Sequence, residues 1–130
     1  MSFETQPTPA AKPSLVVNPF SFKGRILRSQ YWVTTLLVGL PYFFLELMVF
    51  GANSDTQDAL LIPFLLYAVF YIVAAASLCV RRLHDLGYSG YYFFAALIPL
   101  VNIYFGIKIG FFKGEPFDND YGPSPYANEE

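Results

Sequence analysis

The strongest constraint on this chain is a run of 22 residues, 59–80, that carries no charged side chain. At ~1.5 Å of rise per residue, a helix of this length reaches ~33 Å, slightly more than the ~30 Å hydrocarbon layer of a bilayer. The whole chain is 55% hydrophobic and 14% charged, whereas soluble domains carry about 25% charged residues. A chain of 130 residues has too much surface to hide that apolar area from water. Residues 59–80 therefore indicate a transmembrane helix.

A second span is predicted over residues 31–50, whose 20 residues match the thickness of the hydrocarbon layer. Pro41 lies inside this stretch and should kink the helix. The only charged residue is Glu46, near the far end. Glu46 either reaches the far interface or is a buried, proton-carrying carboxylate, because carboxylates within a bilayer face protein or water rather than lipid.

The third apolar stretch, residues 91–112, allows two interpretations. The favoured one is a kinked span ending near Lys108, and the other is a re-entrant hairpin that turns at residues 99–102. Pro99 and Asn102 interrupt the stretch, and irregular backbone at that depth must be covered by protein or water. Asn102 and Lys108 are accordingly intramembrane polar candidates. The predicted fold is an all-α, polytopic helical membrane protein with about three transmembrane helices.

These spans divide the chain into a flexible polar lead-in (residues 1–19), a helical membrane domain (20–112) and a turn-rich acidic tail (113–130). Cations precede the first span and follow the second, but the loop at 51–58 has none. The positive-inside rule then places the N-terminus and the segment after the second span in the cytoplasm. The tail lies outside if there are three spans, and in the cytoplasm if the third stretch is a hairpin.

A polar motif at residues 81–90 follows the second span and contains charges of both signs. If the helix continues through it, Asp85 lies at i,i+4 from Arg81 and at i,i+3 from Arg82, and one Arg–Asp pair is expected. The motif is then either a charge-paired elbow at the membrane surface or a pocket in which Arg81, Arg82 and His84 bind an anion. The fork of the arginine guanidinium suits phosphate, and His84 titrates near neutral pH.

A basic stretch at residues 20–32 mixes cations with aromatic residues immediately before the first span. Arg25 and Arg28 share one helix face if this stretch is helical. Tyr31 and Trp32 suit the headgroup layer, because each joins an apolar ring to a polar group. The stretch is predicted to anchor the chain at the membrane surface, and a site for a ligand phosphate is the alternative.

Other kinds of site lack the residue types that they need. A single Cys79 cannot form an internal disulfide, and one cysteine with one histidine cannot supply a zinc site. Ser89 lacks the G-x-S-x-G context of a serine nucleophile. The chain has no glycine-rich loop of the phosphate-binding kind. We therefore expect no metal and no cofactor. We also expect no nucleic-acid partner, because the basic stretch is short and lies at a membrane boundary.

Three motifs, taken together and in order, give the chain a specific resemblance. They are F-K-G-R-I-L-R-S-Q-Y-W at residues 22–32, R-R-L-H-D at 81–85 and G-E-P-F-D-N-D-Y-G-P-S-P at 114–125. Over about residues 20–125 the chain resembles domain-of-unknown-function family 805, the YhaH-like small bacterial inner-membrane proteins. The resemblance implies a multi-pass location in the bacterial cytoplasmic membrane, and it supplies no established activity.

We expect the polar motifs to meet in one cluster at the cytoplasmic interface, with Asp85 holding one arginine. The candidates for binding an anion or a lipid headgroup are Arg25, Arg28, Arg81, Arg82, His84 and Asp85. If the third stretch is a hairpin, Asn119 and Tyr121 could join the cluster, and Gly122 belongs to the same tail motif.

These features favour a non-enzymatic membrane module that binds anionic lipid headgroups or a partner protein. One alternative is a component of a small-solute or ion transporter or channel that uses Glu46 with Asn102 or Lys108. Because three spans are too few for a pathway within one chain, that alternative requires a homo-oligomer. The least favoured alternative is a membrane enzyme that acts on lipid-linked phosphates, with His84 as the acid–base group.

Overall fold

The computed structural model describes residues 14–126, so most of the predicted lead-in and the end of the tail lie outside the described residues. Within this range four helices follow one another: α1 (Arg28–Gly51), α2 (Ser54–Asp85), α3 (Tyr92–Ala95) and α4 (Pro99–Phe111). Over the same residues no strand is formed beyond one isolated bridge in the tail. The all-α prediction is confirmed.

The first two helices, α1 and α2, form an antiparallel hairpin connected through Ala52 and Asn53. Asn53 caps the N-terminus of α2: its side-chain oxygen accepts a hydrogen bond from the Thr56 amide at 3.0 Å and satisfies an N–H group of the first turn. Aromatic side chains pack the two helices together: Tyr42 stacks on Tyr71 with 4.7 Å between the ring centroids. At 24 and 32 residues, both helices exceed the ~20 residues that cross a bilayer.

The outer surface of this helix pair is apolar and exposed. In the most apolar 18-residue window of each helix, 17% of the α1 residues and 6% of the α2 residues are buried within the protein. The core helix of a soluble protein would be mostly buried, whereas a helix in lipid keeps apolar side chains on its outer face. Both helices therefore have the length and the surface of membrane-spanning helices.

The third apolar stretch, residues 91–112, is broken into two short helices. α4 has 13 residues and a length of ~20 Å, which is too short for a ~30 Å hydrocarbon layer. The break falls at Ile98, which is extended (φ −85°, ψ 124°) because a residue before proline avoids helical geometry. Pro99 then starts α4, a position where proline has no helical hydrogen bond to lose.

Both ends of this stretch lie at the same end of the helix pair. The stretch begins shortly after α2, and α4 ends against the first turns of α1. There the Trp32 indole N–H donates to the Gly110 carbonyl at 2.7 Å, and an Arg28 guanidinium nitrogen donates to the Phe111 carbonyl at 2.8 Å. Residues 91–112 thus form a helical hairpin with both ends on one side, the geometry of the re-entrant alternative, and not the continuous helix of the favoured single span.

The tail folds back onto the end of α2. The Glu115 amide donates to the Asp85 carbonyl at 2.8 Å, and the Asn119 side-chain amide donates to the His84 carbonyl at 3.0 Å. A tail that contacts this end of α2 lies on the same side of the membrane as the N-terminal segment.

This arrangement predicts the membrane topology. A topology reporter fused to the C-terminus should lie on the same side as the N-terminus, and the positive-inside rule predicts that this side is the cytoplasm. A control fusion after Asn53, in the α1–α2 connection, should report the opposite side. A C-terminal reporter active outside the cytoplasm would contradict the re-entrant hairpin.

Candidate functional site

A buried carboxylate at the last residue of α2, Asp85, is the centre of the candidate site. Its side chain is fully buried and accepts hydrogen bonds from three other side chains. Arg25 Nε lies 3.0 Å from Oδ1, Arg82 Nη1 lies 2.6 Å from Oδ2, and the Tyr126 hydroxyl also donates to Oδ2. We call these four residues the Asp85 cluster. It joins the segment before α1, the end of α2 and the tail.

Arg82 fixes the end of α4 within the protein. Its side chain is 0% exposed, and its other hydrogen bonds go to main-chain carbonyls: from Nε to Ile109 at 2.8 Å, from Nη2 to Phe112 at 2.6 Å and from Nη1 to Ile26 at 3.0 Å. The last carbonyls of a helix have no intrahelical partner and must be satisfied in another way when they are buried. Arg82 supplies such donors at the end of α4.

Arg25 fixes the tail in a similar way. Its side chain is 1% exposed, although it lies in the segment before α1. Besides the bond to Asp85, its guanidinium donates to tail carbonyls, to that of Phe117 at 2.8 Å and to that of Glu115. Gly24 precedes it with φ +89°, a left-handed conformation that favours glycine. Arg25 therefore holds the tail against the end of α2.

Tyr126, the fourth member of the Asp85 cluster, was not found by sequence reasoning. Its hydroxyl donates to Asp85 and accepts a hydrogen bond from the Gly114 amide at 2.8 Å. Burial, and then the hydrogen bond to Asp85, raise the pKa of Tyr126, so the hydroxyl keeps its proton. The available signal was its place after Pro123 and Pro125, because prolines restrict a turn and position the residue that follows.

His84 lies beside the cluster and contacts the tail. Its Nδ1 is 3.1 Å from the Gly24 carbonyl, which can only accept, so Nδ1 carries the proton and a neutral ring presents Nε2 as an acceptor. The ring stacks on Tyr121 with 4.1 Å between the centroids and 5° between the planes. Burial lowers the pKa of His84, although the hydrogen bond to Gly24 opposes this shift. The folded protein therefore favours the neutral imidazole.

The tail motif contacts His84 and Arg25 through a tight loop. Asn119 and Gly122 exchange two main-chain hydrogen bonds of 3.1 Å, and Gly122 has φ +137°, which favours glycine. The loop holds Tyr121 against His84 and directs the Gly122 carbonyl to Arg25, at 3.4 Å. Asn119 and Tyr121 therefore contact the polar motif at residues 81–90, and Gly122 contacts Arg25 beside it.

Of the six predicted anion-binding residues, Arg28 and Arg81 lie apart from the Asp85 cluster, whereas His84 lies beside it. Arg81 is buried and donates to the Asn18 carbonyl at 2.6 Å, whereas Arg28 is exposed in the first turn of α1. The structure thus brings Arg25, Arg82 and Asp85 into direct contact, and His84 lies beside them with its ring bonded to the Gly24 carbonyl. Because the guanidinium groups of Arg81 and Arg82 are directed to protein carbonyls, they do not form the anion pocket considered for the polar motif at residues 81–90.

The three intramembrane polar candidates do not meet. Lys108 donates to the Tyr88 hydroxyl at 2.8 Å, and its ammonium lies 4.9 Å from the ring centroid of Tyr104. Glu46 lies ~27 Å along α1 from the end that α4 contacts. Asn102 is exposed on α4. Glu46 and Lys108 are therefore at opposite ends of the helix pair.

Comparison with known proteins identifies the family. Residues 19–123 match the family model described as Protein of unknown function (DUF805). The chain belongs to this family. Inner membrane protein YhaH of Escherichia coli (strain K12) is 27% identical over 110 residues, which cover 83% of this chain and 89% of YhaH. Inner membrane protein YhaI of the same strain is 28% identical over 119 residues, which cover 86% of this chain and 92% of YhaI.

No solved structure matches this DUF805 protein. Its inner-membrane relatives and its two long apolar helices together establish that it is a multi-pass protein of the inner membrane. The predicted YhaH-like family, the polytopic helical fold and the membrane location are thereby confirmed. Because the family is one of unknown function, membership assigns no activity.

The contact between Gly114 and Asp85 predicts a large effect of a small substitution. A Cβ at Gly114 would overlap the Asp85 carboxylate. Gly114→Ala should displace the tail and lower the free energy of unfolding by roughly 2–3 kcal/mol, because overpacking disturbs a buried charge network. Thermal unfolding in detergent and the rate of tail proteolysis measure this effect.

Gly106→Ala is the matched control, because a Cβ at Gly106 would meet no atom within 4 Å. Alanine has the higher helix propensity, so this variant should be as stable as the parent or slightly more stable. Equal losses of stability in the Gly106 and Gly114 variants would show that the Asp85 contact is not the cause.

The environment of His84 predicts a dependence of stability on pH. Because folding lowers the pKa of His84, its contribution to stability is complete above the ordinary value of 6.5 and is lost as the pH falls below 6.5 toward the folded pKa. His84→Phe keeps a ring against Tyr121 but does not titrate, so it should remove this part of the pH dependence. Unfolding of both proteins as a function of pH tests the prediction, and identical pH profiles would disprove it.

Proposed function

We propose that this DUF805 protein is a non-enzymatic inner-membrane module that binds anionic lipid headgroups through exposed cations. One observation carries the proposal, namely that cations at the polar end of the helix pair, the end that carries the Asp85 cluster, differ in what they face. Arg25 and Arg82 are directed inward to Asp85 and to main-chain carbonyls, whereas Lys23 and Arg28 are exposed. Arg28 uses one guanidinium nitrogen to bond the Phe111 carbonyl, and its remaining N–H groups and the Lys23 ammonium can meet lipid.

The position of these cations supports contact with lipid phosphates. Trp32 lies one turn after Arg28 and joins an apolar ring to an N–H group, as residues at the headgroup level do. Within residues 14–126 neither Lys23 nor Arg28 forms an ion pair with a carboxylate. Each cation near an anionic leaflet contributes about 1 kcal/mol to binding.

The surroundings of His84 support a role without catalysis. Its Nδ1 is bonded to a main-chain carbonyl, and the neighbouring Asp85 carboxylate is engaged by Arg25 and Arg82. The Ser89 hydroxyl accepts a hydrogen bond from the Tyr91 amide at 3.3 Å. Over the described residues, the His84 ring has no hydrogen bond to a carboxylate or hydroxyl group, the partners that acid–base and nucleophilic catalysis use.

The test removes the two exposed cations. Lys23→Gln combined with Arg28→Gln should lower the retention of phosphatidylglycerol relative to phosphatidylethanolamine by about 25-fold, because each cation supplies about fivefold. Native mass spectrometry of protein released from nanodiscs that contain equal amounts of both lipids measures the retention.

Lys108→Gln is the control, because it removes the same charge from a side chain that is held by Tyr88 and Tyr104. It should leave the ratio of retained lipids unchanged. A folded double variant that retains phosphatidylglycerol as well as the parent protein would refute the proposed function.

A further inference from the structure

A groove of about 560 Å³ lies beside the Asp85 cluster, where α2 meets the turn into α3 and the tail. This volume is typical of small-molecule sites, which measure about 300–1,000 Å³. Most of its lining is aromatic and comes from four segments of the chain: Phe22 before α1, His84 in α2, Ser89, Tyr91 and Phe94 around α3, and Tyr121 in the tail. Because Tyr121 is a wall, the groove is complete only when the tail is folded onto α2.

The charge of the lining restricts the ligand. Among the described residues, no lysine, arginine, aspartate or glutamate lines this groove. A phosphate or a carboxylate would lose hydration there without meeting a counter-charge, and an ammonium group would meet no carboxylate. The groove therefore suits an uncharged ligand.

One nitrogen determines which hydrogen-bonding group the ligand should carry. Because Nδ1 of His84 donates to the Gly24 carbonyl, the neutral ring offers Nε2 as an acceptor. Gly90 leaves room beside this atom, since a Cβ there would lie 3.5 Å from Nε2. A ligand hydroxyl can donate to Nε2, whereas a ligand with acceptors alone cannot.

The surroundings of the groove indicate where the ligand comes from. Tyr91 and Phe94 are 82% and 63% exposed, and Leu97 and Ile98 continue the exposed apolar surface along the re-entrant hairpin. A ligand in the bilayer can reach the groove along this surface and leave an apolar chain on it. The aromatic walls favour an aromatic head, because ring–ring contacts add to the gain from apolar burial.

We propose that the groove binds a membrane-soluble, uncharged amphiphile whose head is an aromatic ring with a hydroxyl group, the chemical class of a lipid quinol. The ring lies against Tyr91 and Tyr121, its hydroxyl donates to His84 Nε2, and its apolar chain follows Phe94 into the lipid. The proposal is a binding site without electron transfer, and it is independent of the headgroup binding proposed above.

Calorimetric titration of the full-length protein in nanodiscs tests this proposal with three probes: a decyl benzoquinol under anaerobic conditions, the corresponding benzoquinone, and a decyl monoglyceride. The quinol should bind about fivefold more tightly than the quinone, the factor expected from one net hydrogen bond. The monoglyceride has hydroxyls but no ring, and it should bind more weakly than the quinol. Equal affinity of the quinol and either of the other probes would overturn the proposal.

Variants locate the site. Tyr91→Ala removes one aromatic wall of the groove and should weaken quinol binding about tenfold. Because Tyr91 is 82% exposed, its loss should disturb little packing within the protein. His84→Phe keeps a ring against Tyr121 and removes Nε2, so it should reduce the affinity for the quinol to that for the quinone. Phe50→Ala removes a 71% exposed aromatic side chain at the far end of α1 and should bind like the parent protein. Parental quinol affinity in both the Tyr91 and His84 variants would also overturn the proposal.

Discussion

A single buried carboxylate holds together the polar end of this protein. Asp85 accepts hydrogen bonds from two guanidinium groups, those of Arg25 and Arg82, that are almost completely removed from water. Burying ions is unfavourable unless each has close partners, and removing one partner of a buried pair costs about 3–5 kcal/mol. Main-chain carbonyls of the hairpin and the tail complete the coordination of both arginines. The folded positions of three segments therefore depend on one side chain.

The same interactions explain how the short helix α4 ends at a membrane boundary. Its last carbonyls have no intrahelical donors, and lipid supplies none. Arg82, Arg28 and Trp32 supply these donors, and cationic side chains also interact favourably with the negative end of a helix dipole. Arg82 therefore serves the fold alone, whereas Arg28 combines the helix end with an exposed charge. The two proposals assign contact with lipid to the exposed cations and contact with an amphiphile to the aromatic groove.

Local patterns predicted the helices and one contact of the site. The uncharged run at residues 59–80 lies within α2, and the i,i+3 spacing of Arg82 and Asp85 produced the expected ion pair at 2.6 Å. Apolar length favoured one kinked span over residues 91–112, because the sequence does not show whether Pro99 kinks a helix or, as here, follows an extended residue that ends one. Sequence patterns did not predict the contact of Tyr126 with Asp85, because no helical or strand periodicity connects the two residues.

By itself, the sequence determined that lipid surrounds the protein, because this follows from the apolar composition. The length of the apolar runs determined the two long helices, and the positions of the cations along the chain determined which end of the helix pair is polar. Only the tertiary structure decided that Arg25 and Arg82 are directed inward, that the tail completes the Asp85 cluster and that an aromatic groove forms beside it. The physical reason is distance along the chain: Arg25 and Tyr126 are separated from Asp85 by 60 and 41 positions. Contacts of that range follow from the packing of whole segments, which local spacing does not encode.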